Sequence, residues 1–90
     1  HLAARLGGEE FAVFLAIADD TEADRAAECL RAATHRVAAR FGLPPGVGTA
    51  SIGISSMPRG EHVSKALQRA DNALYEAKKS GRNRVRRQVA

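Results

Sequence analysis

Ninety residues allow one small domain or part of one, because a chain of this size buries only roughly 60–65% of its unfolded surface and supports a single core. Hydrophobic residues make up 44% and charged residues 27%, the balance of an ordinary globular fold and not of a disordered or fibrous one. No apolar run nears the roughly 20 residues that cross a bilayer, and no basic-then-apolar leader opens the sequence. The segment is therefore expected to make no membrane contact of its own and to be cytoplasmic, although it could be cut from a membrane-anchored parent chain.

The net charge is +4, and the basic excess collects near the end, in Lys78, Lys79, Arg82, Arg84, Arg86 and Arg87. Single-strand nucleic-acid binders add exposed stacking rings to such charge, and the only aromatics are Phe11, Phe14, Phe41 and Tyr75. Small phosphorylated ligands fit this pattern better than polynucleotides, so no nucleic-acid partner is expected. The single cysteine, Cys29, excludes an internal disulfide, fits a reducing compartment and reads as a small half-buried residue on a helix.

In chain order, His1 to Leu6 reads as the end of a strand already under way. Phe11 to Ile17 is a nearly continuous apolar run of the kind found in a central strand. Between them lies Arg5-Leu6-Gly7-Gly8-Glu9-Glu10-Phe11, a hairpin turn with adjacent glycines and adjacent acids at its tip. Two neighbouring carboxylates repel unless a cation sits between them; a hard divalent metal takes carboxylate oxygens and keeps positions for phosphate. Glycines there let the backbone approach a phosphate closely.

Asp19-Asp20-Thr21 supplies turn and capping chemistry, with Asp24 three residues after Thr21 in a box-like arrangement. Ala23, Ala26, Ala27, Leu30, Ala33, Val37 and Phe41 then recur at helical spacing, and Gly42 with Pro44-Pro45 ends the helix. His35 reads as a surface residue. Val47 to Ser55 alternates, Ala50, Ile52 and Ile54 against Thr49, Ser51 and Ser55, which predicts a strand. Its Gly53 marks close approach by another element or a ligand, or plain packing. Ser56 to Gly60 is a loop without recognisable chemistry. A second helix carries Val63, Ala66, Leu67, Ala70, Ala73, Leu74 and Ala77 on one face and exits at Ser80-Gly81. Arg82 to Arg86 is expected to pair as a short charged edge strand. The order strand, strand, helix, strand, helix, strand is the later part of a split β-α-β arrangement around an antiparallel hairpin.

Three stretches in that order resemble one family. Gly7-Gly8-Glu9-Glu10-Phe11 is similar to the signature of the GGDEF diguanylate cyclases in its Glu-for-Asp form. Thr49-Ala50-Ser51-Ile52-Gly53 resembles the family's T-x-S-I-G strand, and Ala70 to Val85 resembles its A-D-x-A-L-Y-x-A-K-x-x-G-R-N-x-V ending. The resemblance implies an α+β, two-layer fold of the ferredoxin-like, nucleotidyl-cyclase palm type, an antiparallel hairpin plus helices packed on one sheet. Residues 1–90 would be a single partial domain, its C-terminal portion, with the N-terminal part missing.

The implied activity is condensation of two GTP into cyclic di-GMP with release of pyrophosphate, a bacterial second-messenger reaction. Glu9 is then the expected magnesium (or manganese) ligand. Glu10 stands where a second acid acts in the metal site or near the attacking hydroxyl. Gly7 and Gly8 admit the nucleotide, and Lys78 and Arg82 match the family's phosphate-contacting pair. Cations at a helix C-terminus also offset its dipole by a few tenths of a kcal/mol, which is the plain alternative for those two. Asp71 and Tyr75 are expected to orient and pack the helix. His1 and Cys29 depart from the family's inhibitory product site, leaving Arg25 one turn away. GTP as substrate, a homodimer for activity, and sensory or receiver domains in the parent chain follow from the resemblance. So does the expectation that the 90-residue piece alone is inactive. A catalytically degenerate module that binds nucleotide or protein partners is the alternative reading.

Overall fold

The computed structural model describes residues 2–7, 10–14 and 19–88, the first two stretches as backbone. Six elements follow one another: β1 (Leu2–Gly7), β2 (Glu10–Phe14), α1 (Asp20–Arg40), β3 (Ile52–Ser55), α2 (Val63–Lys79) and β4 (Val85–Gln88). Type and order are those expected, and the class is α+β. Two two-stranded sheets are present among the described residues, an antiparallel β1-β2 hairpin and a parallel β3-β4 pair. The second is parallel because α2 carries the chain back to the same end, as a β-α-β crossover requires.

α2 lies on β3 through very small residues. Ala66, Ala73 and Ala77 are buried, and they face the strand at Gly53. A methyl group built on Gly53 would stand 2.1 Å from the Ala70 carbonyl oxygen and 2.4 Å from the Leu74 nitrogen. Of the readings open for this glycine, close approach by another element is the one observed. Val63, at the start of the expected apolar face, is 40% exposed.

Ile52 and Ile54 alternate with Gly53 and so belong to the opposite face of the sheet, where α1 lies. Arg87, paired with Ile54 across the β3-β4 ladder, reaches α1 there. Its Nη2 donates to Asp24 Oδ1 (2.5 Å) and to the Asp20 carbonyl (3.1 Å), and Ser56 Oγ donates to Asp20 Oδ1 (3.1 Å).

Three local expectations are corrected. Asp19, the first residue of the expected capping run, is the N-cap of α1, accepting the Glu22 N–H at 2.8 Å, so the cap lies two residues before the Thr21 from which a box was expected. The inward stripe of α1 is corrected in part: Ala23, Ala27 and Ala33 are half-buried as expected, Arg31, Ala32 and Thr34 join them and Ala38 is buried, whereas Leu30, Val37 and Phe41 are 56%, 54% and 80% exposed. Ala38 lies against Gly48 of the loop before β3, where an added methyl would stand 2.7 Å from the Ala38 Cβ. Cys29 is exposed. At its C-terminus α1 ends as expected, the N–H groups of Gly42 and Leu43 donating back to the Ala39 and Ala38 carbonyls, both at 3.1 Å, in a Schellman arrangement. Among the described residues no helix is long and apolar enough to cross a membrane.

Candidate functional site

The hairpin pairs Leu2 with Phe14, Ala3 with Val13, Ala4 with Ala12 and Arg5 with Phe11, then steps to Gly7 opposite Glu10. Two steps along β1 therefore match one along β2, which makes Leu6 the extra residue of a β-bulge. A bulge bends its strand and increases local twist, and such irregularities are over-represented beside active sites. Gly7 and Glu10 face each other at the closed end of the ladder. Gly8 and Glu9 come between them in sequence and lie outside the described residues.

The second cluster is the exit of α2. Lys78 is half-buried in its last turn. Ser80 caps the helix, the Gly81 N–H donates to the Lys78 carbonyl (3.4 Å), and the Arg82 N–H donates to the Ala77 carbonyl (2.9 Å). Gly81, Arg82 and Asn83 then run through φ of +127°, +62° and +47°. Left-handed backbone at two consecutive residues that carry side chains is disfavoured and persists only where surroundings over-determine it. It also explains why β4 begins at Val85 and not at Arg82 as expected, since extended pairing needs negative φ.

Those surroundings are specific. The Asn83 N–H donates to Ser51 Oγ (3.2 Å), and Asn83 Oδ1 accepts from Arg31 Nη1 (2.8 Å). Arg31 is itself forked onto Glu28, its Nε 3.0 Å from each carboxylate oxygen. That hydrogen bond holds the Glu28 carboxyl below its ordinary value and raises Arg31. Arg84 Nε donates to the Arg82 carbonyl (2.9 Å). Arg82 itself is exposed, so its backbone is pinned while its side chain faces outward.

A third arginine organises the β3-α2 loop. Arg69 donates from Nη1 to Glu61 Oε2 (2.8 Å), from Nη2 to the Ser56 carbonyl (2.7 Å) and from Nε to Ser55 Oγ (3.3 Å). Hydrogen bonding by Arg69 keeps the Glu61 carboxyl below its ordinary value. Sequence reasoning missed Arg31, Arg69, Arg84 and Arg87 as structural residues. Their partners are up to 67 positions away, and no local pattern announces such a pairing.

Among the described residues no three metal-ligating side chains form a cluster.

A bulged antiparallel hairpin followed by a β-α-β unit is a portion of the α+β cyclase palm. The model of the diguanylate cyclase GGDEF domain matches residues 1–84, and the chain belongs to the GGDEF family. It is 38% identical to the biofilm architecture maintenance protein MbaA of Vibrio cholerae, over 93% of this chain and 11% of that protein. It is 40% identical to the probable diguanylate cyclase DgcT of Escherichia coli, over 93% of this chain and 19% of that protein. With diguanylate cyclase A of Treponema denticola the identity is 40%, over 92% and 23%. The chain therefore spans between about a tenth and a quarter of the length of these relatives. No solved structure matches it significantly.

Proposed function

We propose that this chain is the C-terminal portion of a diguanylate cyclase domain that condenses two GTP molecules into cyclic di-GMP. The observation that carries the reading is the intact run Gly7-Gly8-Glu9-Glu10-Phe11, whose Gly7 and Glu10 pair at the closed end of a bulged hairpin, in a chain matched by the family model over residues 1–84. In each half-reaction the 3′-hydroxyl oxygen of one GTP forms a bond to the α-phosphorus of the other. The bond from that phosphorus to the bridging oxygen breaks, pyrophosphate leaves with the electron pair, and the hydroxyl proton passes to a basic oxygen. Two such steps close the ring.

Adjacent carboxylates are hard oxygen donors suited to magnesium or manganese, and Glu10 at the hairpin's closed end fits that use. Glu9 and Glu10 would hold the ion, with phosphate and water oxygens as further ligands. When bound, such an ion stabilises charge on the phosphoryl oxygens and acidifies the attacking hydroxyl. Lys78 and Arg82 neutralise the triphosphate, the usual contribution of cationic side chains to phosphoryl transfer. Gly7, without a side chain, lets the nucleotide approach the backbone, and Gly8 acts likewise. Because two GTP molecules must meet face to face, the active form is a homodimer with one nucleotide on each domain. The relatives' greater length accommodates sensory or receiver domains.

The test is Glu9→Ala in the full-length protein. Production of cyclic di-GMP from GTP and magnesium, followed by chromatography, is expected to fall at least about 100-fold, the usual loss when one electrostatic contact to the reacting group is removed. The unfolding temperature stays at the parental value. Turnover within a few-fold of parental refutes the assignment.

A further inference from the structure

We infer that Arg84 is a positioning residue for Arg82, fixing the left-handed turn from which Arg82 reaches phosphate; this rests on the reading of the site given above. Three observations converge on the turn. Arg82 and Asn83 hold φ of +62° and +47°, a conformation that side-chain-bearing residues abandon unless held. Arg84 Nε donates to the Arg82 carbonyl at 2.9 Å, which fixes the peptide plane on the C-terminal side of Arg82. The guanidinium of Arg84 also covers Gly81, its Nη2 lying 2.4 Å and its Cζ 3.1 Å from where a methyl group on Gly81 would stand. Arg84 therefore contacts the turn on both sides of Arg82.

The other clamps act elsewhere. Ala77 accepts the Arg82 N–H, and Ser51 and Arg31 hold Asn83. Arg84 alone, among the hydrogen bonds described, engages the Arg82 carbonyl. The Arg84 carbonyl in turn accepts the Ile52 N–H at 3.0 Å, which anchors the residue at the start of the β3-β4 ladder. A planar guanidinium can donate from Nε while its Nη2 end lies against a glycine. A lysine keeps the charge but has neither the plane nor a donor at that place. Arg84 is thus suited to pre-organise a neighbouring cation, and pre-organisation appears as tighter binding because less freedom is lost when the ligand arrives.

The experiment uses the full-length protein with Arg84→Ala, Arg84→Lys, Arg82→Ala and the double variant Arg82→Ala/Arg84→Ala. Hydrogen–deuterium exchange of the peptide containing residues 77–84 is measured by mass spectrometry without nucleotide, and KM and kcat for GTP are measured with magnesium. Both Arg84 variants are expected to exchange the Arg82 amide about tenfold faster than the parent. Both raise KM about five- to tenfold with kcat within twofold, and Arg84→Ala adds nothing to Arg82→Ala. Unchanged exchange in Arg84→Ala overturns the positioning role whatever the activity. Parental KM in Arg84→Lys, or additive effects in the double variant, also overturns it, assigning Arg84 a direct charge effect on phosphate. A parental protein that makes no cyclic di-GMP sinks the cyclase reading, while the exchange measurement still decides whether Arg84 holds the turn.

Discussion

Gly53→Ala tests the packing on which the cationic exit depends. Gly53 is in β3, where extended backbone suits any residue, so the substitution carries no φ penalty and even gains about 0.4–1 kcal/mol by restricting the unfolded chain. Against that, the new methyl carbon would lie 2.1 Å from the Ala70 oxygen, 2.4 Å from the Leu74 nitrogen and 2.9 Å from the Leu74 Cα. All three are backbone atoms of α2, none can rotate away, and the helix must retreat by about 1.3 Å to restore ordinary contact at 3.4 Å. Overpacking of a core costs typically about 1–3 kcal/mol, occasionally more, and obstruction by backbone belongs at the upper end. The net expectation is a loss of about 2 kcal/mol or more. For a domain of this size that lowers the unfolding temperature by roughly 8–16 °C, at 4–8 °C per kcal/mol. Scanning calorimetry of the domain transition reads it directly. Gly60→Ala is the control, since nothing lies within 4 Å of its added methyl; its φ of +85° costs about 1 kcal/mol. A Gly53→Ala loss no greater than that of Gly60→Ala would refute the argument that α2 rests backbone against backbone on β3.

Two further outcomes follow from the arginine contacts. Arg87→Met removes the link from β4 to Asp20 and Asp24; because both acids are more than half exposed, the loss is about 1 kcal/mol, read as a lower unfolding temperature that Arg87→Lys restores only in part. Glu61, held below its ordinary value of 4.5 by Arg69, stabilises the fold fully above that value. As pH falls through its lower folded value that contribution disappears, because the unfolded chain binds the proton first. Glu61→Gln is expected to flatten the acid side of the stability profile below pH 4.5, measured by denaturation across pH; an unchanged acid slope would contradict the Arg69 contact.

Elements with a clean period or strong punctuation were legible in the sequence. The face of α2 is one such case, since its alanines and leucines repeat at i, i+3 and i+4 and three of them are buried, Ala66, Ala73 and Ala77. The exits of both helices are another, each followed by glycine with left-handed or other positive φ. The face of α1 was legible only in part. Alanine occurs all round that helix, so the expected stripe caught the half-buried Ala23, Ala27 and Ala33 but also took in the exposed Leu30, Val37 and Phe41 and left out the buried Ala38. The acids and glycines of the hairpin were recognisable as a unit, yet Leu6 as a bulge residue was not, because register is a property of two strands. The roles of Arg31, Arg69 and Arg87 depend on partners that only the folded chain brings near, and that of Arg84 on a left-handed turn that no local pattern announced.

Small residues decide how this domain presents charge. Among the described residues the fully buried hydrophobics are four alanines, with Leu67 and Leu74 half-buried, so the position of α2 does not rest on fully buried large side chains. It is set by direct approach of backbone to backbone at Gly53, a contact with little room to slide or tilt. The last turn of α2 inherits that fixity, and with it Lys78; the Schellman exit passes it to Arg82 through the Ala77 carbonyl. Mobility of a long side chain matters less when its root is held this firmly, because only the side chain's own rotamers remain to be ordered on binding. The strained turn at Arg82 and Asn83 is consistent with that economy. Left-handed backbone would relax in a loop left to itself, and here contacts with Ser51, Arg31, Ala77 and Arg84 retain it. On the proposed reading, strain retained by four separate partners at an exposed arginine holds one cation ready for phosphate.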